Sequence, residues 1–134
     1  MEMALLCPWV IFLFIGALDW GFYAYSMISI ETAARSAASY IVSLNNGALI
    51  AGTVTADNAC SVILPELSTL PNIGTTVTAC NAAPLVVAAS TITSVDGNSA
   101  VQVSLTYTTP RMIPIPGLLA GQFTITRIVK MRMV

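Results

Sequence analysis

The chain has 134 residues, enough for one small domain, with five basic and six acidic residues, no histidine and a net charge of −1. Hydrophobic residues make up 56% and charged residues 8%, where a soluble globular domain carries roughly a quarter charged residues. The chain is therefore adapted to a membrane, to an extensive protein–protein interface, or to both. Its near-neutral charge gives no support for nucleic-acid binding, and the lack of histidine excludes serine–histidine and cysteine–histidine catalysis.

From Met3 to Ile30 the chain is almost wholly apolar. Glu2 stands at the start of this run, and Asp19 is the one acidic or basic side chain inside it. A carboxylate in a low-dielectric setting costs several kcal/mol unless it is paired, so Asp19 is expected to have a partner. With so few other charges in the chain, that partner is expected outside the subunit, which points to assembly. Residues 3–18 are continuously apolar, somewhat shorter than the ~20 residues of a membrane span. The run then continues past Asp19 through Trp20, Phe22, Tyr23 and Tyr25, aromatic types that favour a membrane–water boundary. Pro8 removes one helical hydrogen bond and is expected to kink or locally unwind the helix. Gly16 and Gly21 allow a neighbouring backbone to approach closely.

Beyond Gly21, Tyr23, Met27, Ile30, Ala34, Ala37, Ile41 and Leu44 alternate spacings of four and three, a helical stripe that predicts packing against the subunit's own sheet. Ser26, Ser29, Ser36, Ser39 and Ser43 are expected on other faces. Glu31 and Arg35 form a favourable i, i+4 pair, and Asn45-Asn46-Gly47 supplies a stop signal. A single helix over residues 2–44 is about 65 Å long at 1.5 Å per residue. No small domain buries such a rod, so its lower half must find lipid or other subunits. A signal peptide fits poorly: there is no basic n-region and no clear A-x-A cleavage site, and the stripe outlasts the apolar core. An ordinary membrane anchor for an external domain remains the competing interpretation.

Residues 46–134 read as an external, β-rich domain, following residues 1–45 as a transmembrane or filament-core helix. Thr55-Ala56-Asp57 caps a short helix running to about Leu64, before Pro65. Residues 66–85 are read as mostly loop, with one short strand at Thr75–Ala79. A strand near Ser90–Val95 and the turn Asp96-Gly97-Asn98 lead into Val101, Val103, Leu105 and Tyr107, which alternate with polar residues. Pro110, Pro114, Pro116 and Gly117 mark a long connection. Phe123, Ile125, Val129, Met131 and Met133 then share one parity with Arg127, where a bulge or strand end is expected. Arg127, Lys130 and Arg132 are read as a solvated strand face. Cys60 and Cys80 are expected to form a disulfide, worth roughly 3 kcal/mol and implying an oxidising compartment; buried thiols are the alternative. Cys7 is read as an inert small hydrophobe. No CxxC or Cys/His pattern suggests a metal, and there is neither a phosphate-binding glycine loop nor an N-x-S/T sequon. Asp57, Glu66 and Asp96 sit beside turn or helix signals, where capping is the ordinary role. No catalytic residue, cofactor or metal site is expected.

Glu2-Met3-Ala4-Leu5-Leu6-Cys7-Pro8, then Gly16 and Gly21, then Ala33-Ala34-Arg35-Ser36-Ala37-Ala38, resemble the N-terminal helix of TadE-like pilins, the tight-adherence branch of the type IV pilin superfamily. Val101 to Tyr107, the prolines at 110 and 114, and Phe123-Thr124-Ile125 leading to Met131-Arg132 are similar to the family's closing strands. The resemblance covers roughly residues 1–45 and 100–133 and leaves the middle unplaced. It implies a prepilin whose basic leader is removed by a prepilin peptidase; the absence of Lys or Arg before the span fits a leader already removed. It also implies transfer from the cytoplasmic membrane into an extracellular filament by assembly machinery, with copies of the chain as partners. The family's assembly acid maps to Glu2, although the family has it at the fifth mature position and here it is second. Either processing differs or the given chain begins a few residues late.

The expected architecture is α+β: a long N-terminal helix packed by its upper half on a small antiparallel sheet. The expected role is a structural pilin, with Glu2, Pro8, Gly16 and Gly21 serving filament assembly. The alternatives are a minor pilin or pseudopilin that starts or tips a filament, and a membrane-anchored adhesion or binding domain that does not polymerise.

Overall fold

The computed structural model describes residues 2–45, 52–74, 77–111 and 122–133, with side chains from Leu6 onward. Helix α1 spans Glu2–Leu44 and helix α2 spans Ala56–Leu67. Strands β1 (Asn81–Ala82), β2 (Leu85–Thr93), β3 (Ser99–Thr108) and β4 (Thr124–Arg132) form one antiparallel sheet in the order β1-β2-β3-β4. Both helices lie on one face of this sheet, α1 over β3 and β4 and α2 beside it toward β2. This is the expected α+β arrangement.

The 43 residues of α1 make a rod of about 65 Å. Its helical assignment is uninterrupted through Pro8. The buried face of its upper half is Ser26, Ile30, Ala33, Ala34, Ala37, Ala38, Ile41 and, just past the end, Asn45. The expected heptad stripe is correct from Ile30 to Ile41 and fails at the top, where Leu44 is exposed and Asn45 is fully buried. A straight helix repeats every 3.6 residues and drifts against a 3.5-residue stripe, so the contact widens to the alanine pairs and moves on to Asn45. Ser26 also departs from expectation, lying on the buried face. Its hydroxyl donates to the Phe22 carbonyl at 2.9 Å, which satisfies it inside the helix. Asn45 Nδ2 donates to the Ile41 carbonyl at 2.8 Å, and Asn45 Oδ1 accepts from the Thr53 hydroxyl. The buried amide thus takes one of the carbonyls that a helix end leaves open. Asn46 and Gly47, the rest of the expected stop, lie outside the described residues.

Thr55 caps α2 as expected, its hydroxyl accepting from Asn58 N at 3.2 Å. The helix nevertheless continues past Leu64 to Leu67, with Pro65 inside its last turn. Pro65 and Ser61, whose carbonyl loses its partner there, are both on the exposed side, while Ala59, Cys60, Ile63 and Leu67 are buried. Burial of Leu67 outweighs the single missing bond. The α1 stripe packs on the sheet, over β3 and β4, and also against α2.

The expected strand at Thr75–Ala79 is not formed over residues 77–79, and Thr75 and Thr76 lie outside the described residues. The two-residue β1 follows instead, and a Cys60–Cys80 disulfide, with 5.8 Å between Cα atoms, fastens its approach to α2. β2 begins at Leu85, five residues before the expected Ser90, and ends at Thr93. Its turn to β3 is closed by Ser94 N donating to Asn98 O at 2.7 Å and Gly97 N to Ser94 O at 2.9 Å. Gly97 sits there at φ +78°, where a residue without Cβ meets no steric penalty. In β3, Val101, Val103, Leu105 and Tyr107 are fully buried and alternate with half-buried polar residues. The Tyr107 hydroxyl donates to the Pro71 carbonyl at 2.7 Å, and burial pushes its pKa up to about 12. Pro114, Pro116 and Gly117 lie outside the described residues.

The expected bulge at Arg127 is absent. β4 keeps its register with β3 throughout, pairing Leu105 with Arg127 between Val103–Val129 and Tyr107–Ile125. Arg127 therefore points to the helical side, its Nη2 3.9 Å from Met27 Sδ, and the long side chain lies along the helix with no break in the ladder. Arg127, Lys130 and Arg132 consequently do not share one face. Lys130 and Arg132 are exposed on the outer face, where Arg132 approaches Asp96 at 3.7 Å.

Candidate assembly surface

Two contacts fix the level at which the globular part meets α1. The Tyr23 ring meets Phe123 edge-on at 5.7 Å, and the Tyr25 hydroxyl lies 3.3 Å from Thr69 Oγ1. Four residues further along each element, Met27 meets Arg127, so β4 ascends alongside α1. Above this level the helix supplies one wall of the core. Below it, residues 6–14 are all exposed, including Trp9 and Phe14 at 66% each. Trp20, at 71%, is exposed at the boundary. The apolar window of this helix has a mean hydropathy of 1.6 and none of it is buried within the subunit. The helix is long and apolar enough to cross a membrane. A contiguous apolar surface of this kind marks a lipid or protein interaction face.

The expected assembly residues fall on the lower half of α1. Glu2 is the first residue of α1; its side chain lies outside the described ones. Pro8 lines a shallow apolar depression with Trp9 and Phe12. At Gly16 and Gly21 an added Cβ would meet nothing within 4 Å, so the subunit's own packing does not require glycine at either place. Cys7 is a free, exposed thiol. Glu31 and Arg35 pair at 2.5 Å on the solvent side.

Asp19 is half-buried, and its Oδ2 is enclosed with no hydrogen-bond partner among the described residues. It lines an apolar groove with Trp20, Tyr23 and Phe123. Arg127, of opposite charge, has an enclosed Nε with no hydrogen-bond partner among the described residues, while its Nη2 reaches Met27 Sδ. Sequence reasoning treated Arg127 as a defect in a strand. Its parity with Ile125 and Val129 holds in the structure, with no bulge to turn it away from the helical side. Among the described residues no group of histidine, cysteine, aspartate and glutamate is placed to hold a metal.

Residues 1–39 match the family described as TadE-like protein. The match covers the lower half of α1 and most of its buried stripe, including Glu2, Pro8, Gly16, Gly21 and the Ala-Ala-Arg segment. No curated protein matches the chain, and no solved structure matches it. The TadE-like match agrees with the apolar N-terminal helix and with a structural, pilin-like, pilus-associated protein.

Proposed function

We propose that this chain is a structural subunit of an extracellular type IV-like filament. The exposed apolar half of α1 bundles with copies of itself in the filament core, and the β-rich part coats the outside. The observation that carries this reading is a 43-residue helix, matched by the TadE-like family over residues 1–39, whose lower half stands clear of the subunit's own core. Before assembly the same surface holds the chain in the cytoplasmic membrane, where a prepilin peptidase and the assembly machinery act on it. Gly16 and Gly21, where an added Cβ would meet nothing within the subunit, let a neighbouring helix approach closely.

Glu2 sets the register of the bundle. On docking, its carboxylate meets the N-terminal amine of a neighbouring chain among apolar side chains. Removing one partner of a buried pair costs about 3–5 kcal/mol, even where the formed pair is not itself strongly favourable. A misplaced subunit leaves a charge unpaired and is rejected. The test is Glu2→Gln, which keeps the shape, beside Glu2→Ala. Both should reach the membrane at wild-type levels and yield few or no surface filaments. Normal filament yield from either removes Glu2 from this role and favours the plain membrane anchor.

A further inference from the structure

Asp19 and Arg127 are two half-buried charges of opposite sign, each with an enclosed atom that finds no hydrogen-bond partner among the described residues. Both lie on the seam between α1 and β4. Asp19 sits in the groove closed by Phe123, which leads into β4, and Arg127 sits beside Met27 of α1. They do not serve each other within one subunit. Arg127 lies at the level of Met27, eight residues above Asp19, which is about 12 Å along the helix axis. Two neighbouring pairs are already engaged, Arg35 with Glu31 and Arg132 with Asp96, and Lys130 is exposed on the outer face. Arg127 shares a groove with Glu31, Arg35 and Lys130, but Glu31 is committed to Arg35.

We propose that Asp19 of one copy pairs with Arg127 of a second copy, displaced along the helix axis by about eight residues of rise. The pairing rests on the filament reading and specifies one contact within it. It joins two different patches, so each subunit offers an acid to one neighbour and a guanidinium to another. A contact of this head-to-tail kind does not close on itself and propagates as an open helical array. Trp20, Tyr23 and Phe123 line the groove around the acid and exclude water from the pair. Arginine suits the role because its planar fork can bind a carboxylate bidentately. A plain anchor has no use for two enclosed, unpaired charges at complementary heights.

The test uses full-length chains lacking the free Cys7 thiol (Cys7→Ala), co-expressed in the cell that makes the filaments. One copy carries Asp19→Cys and the other Arg127→Cys, and a short bismaleimide is applied to intact cells. A covalent dimer should appear in the mixture at a level at least about tenfold above either chain alone, a ratio equal to ~1.4 kcal/mol of preference. In a parallel arm, Asp19→Arg and Arg127→Asp should each reduce filament yield by on the order of 100-fold, as expected for a buried charge left unpaired. The double exchange should restore yield to within about threefold of wild type; a misfolded variant would not be rescued this way. No cross-link in wild-type-like filaments, or single reversals without effect on yield, overturns the pairing while leaving the filament reading intact. If the parent chain forms no filaments, the filament reading fails, and absence of the mixed dimer in the membrane then overturns the pairing as well.

Discussion

Ala37 lies fully buried on the face of α1 that packs against α2 and the sheet. Its small side chain lets the backbone of the rod sit close to the core cluster, which includes the fully buried Val103 and Leu105. Replacing it with tryptophan forces an indole into a close-packed layer with no space for it. Overpacking of this kind costs about 1–3 kcal/mol and occasionally more. For a unit of this size each kcal/mol moves the melting temperature by roughly 4–8 °C, so Ala37→Trp should lower it by about 4–24 °C. The control is Ser39→Trp, two residues along on the exposed side of the same helix, where a substitution should stay within about 0.5 kcal/mol. A soluble fragment of residues 21–134, which removes the exposed apolar rod, allows both to be melted by circular dichroism. Equal melting temperatures for the two variants would refute the assigned buried face.

Further outcomes follow from other contacts. The Tyr107 hydroxyl titrates near 12 in the folded protein against about 10 in an unfolded chain. Its stabilising contribution is therefore complete below about pH 10 and lost progressively as pH rises toward about 12, a loss that Tyr107→Phe should lack when urea unfolding is followed across that range. The same variant gives up the bond to the Pro71 carbonyl and should cost about 1 kcal/mol at neutral pH. Paired replacement of Cys60 and Cys80 by alanine opens the 20-residue separation they close and should destabilise the external part by roughly 3 kcal/mol; free thiols at both positions in a non-reducing mass measurement would contradict the bond. Cys7→Ala removes a thiol that the subunit's own packing leaves exposed and should leave filament yield unchanged.

Local patterning carried much of this fold. Strict alternation from Val101 to Tyr107 located β3, Asp96-Gly97-Asn98 located its turn, and Thr55 located the start of α2. What local pattern could not reveal was decided by tertiary burial. Pro65 is a stop signal by its backbone chemistry, yet Leu67 has a core position to fill and the helix runs on to reach it. Ser26 reads as a surface residue until its hydroxyl is seen to be satisfied by the preceding turn. Arg127 reads as a break in an apolar face until a thioether and a groove are found to receive it. Asp19 was legible because a lone carboxylate in an apolar run requires an explanation. Its counterpart was not, because the charge that answers it lies 108 positions away in the chain and, in the proposed pairing, on another copy.

The central claim is that the exposed half of α1 is a polymerisation surface rather than a simple anchor. It is tested most directly by shearing surface material from intact cells and quantifying this chain by mass spectrometry in the filament and membrane fractions. The chain should be a dominant protein of the sheared filaments, with α1 intact from the Glu2 end. A trace in the filaments would mark a subunit that only starts or tips them. Its complete retention in the membrane as a monomer, in cells that make filaments from other subunits, would contradict the account.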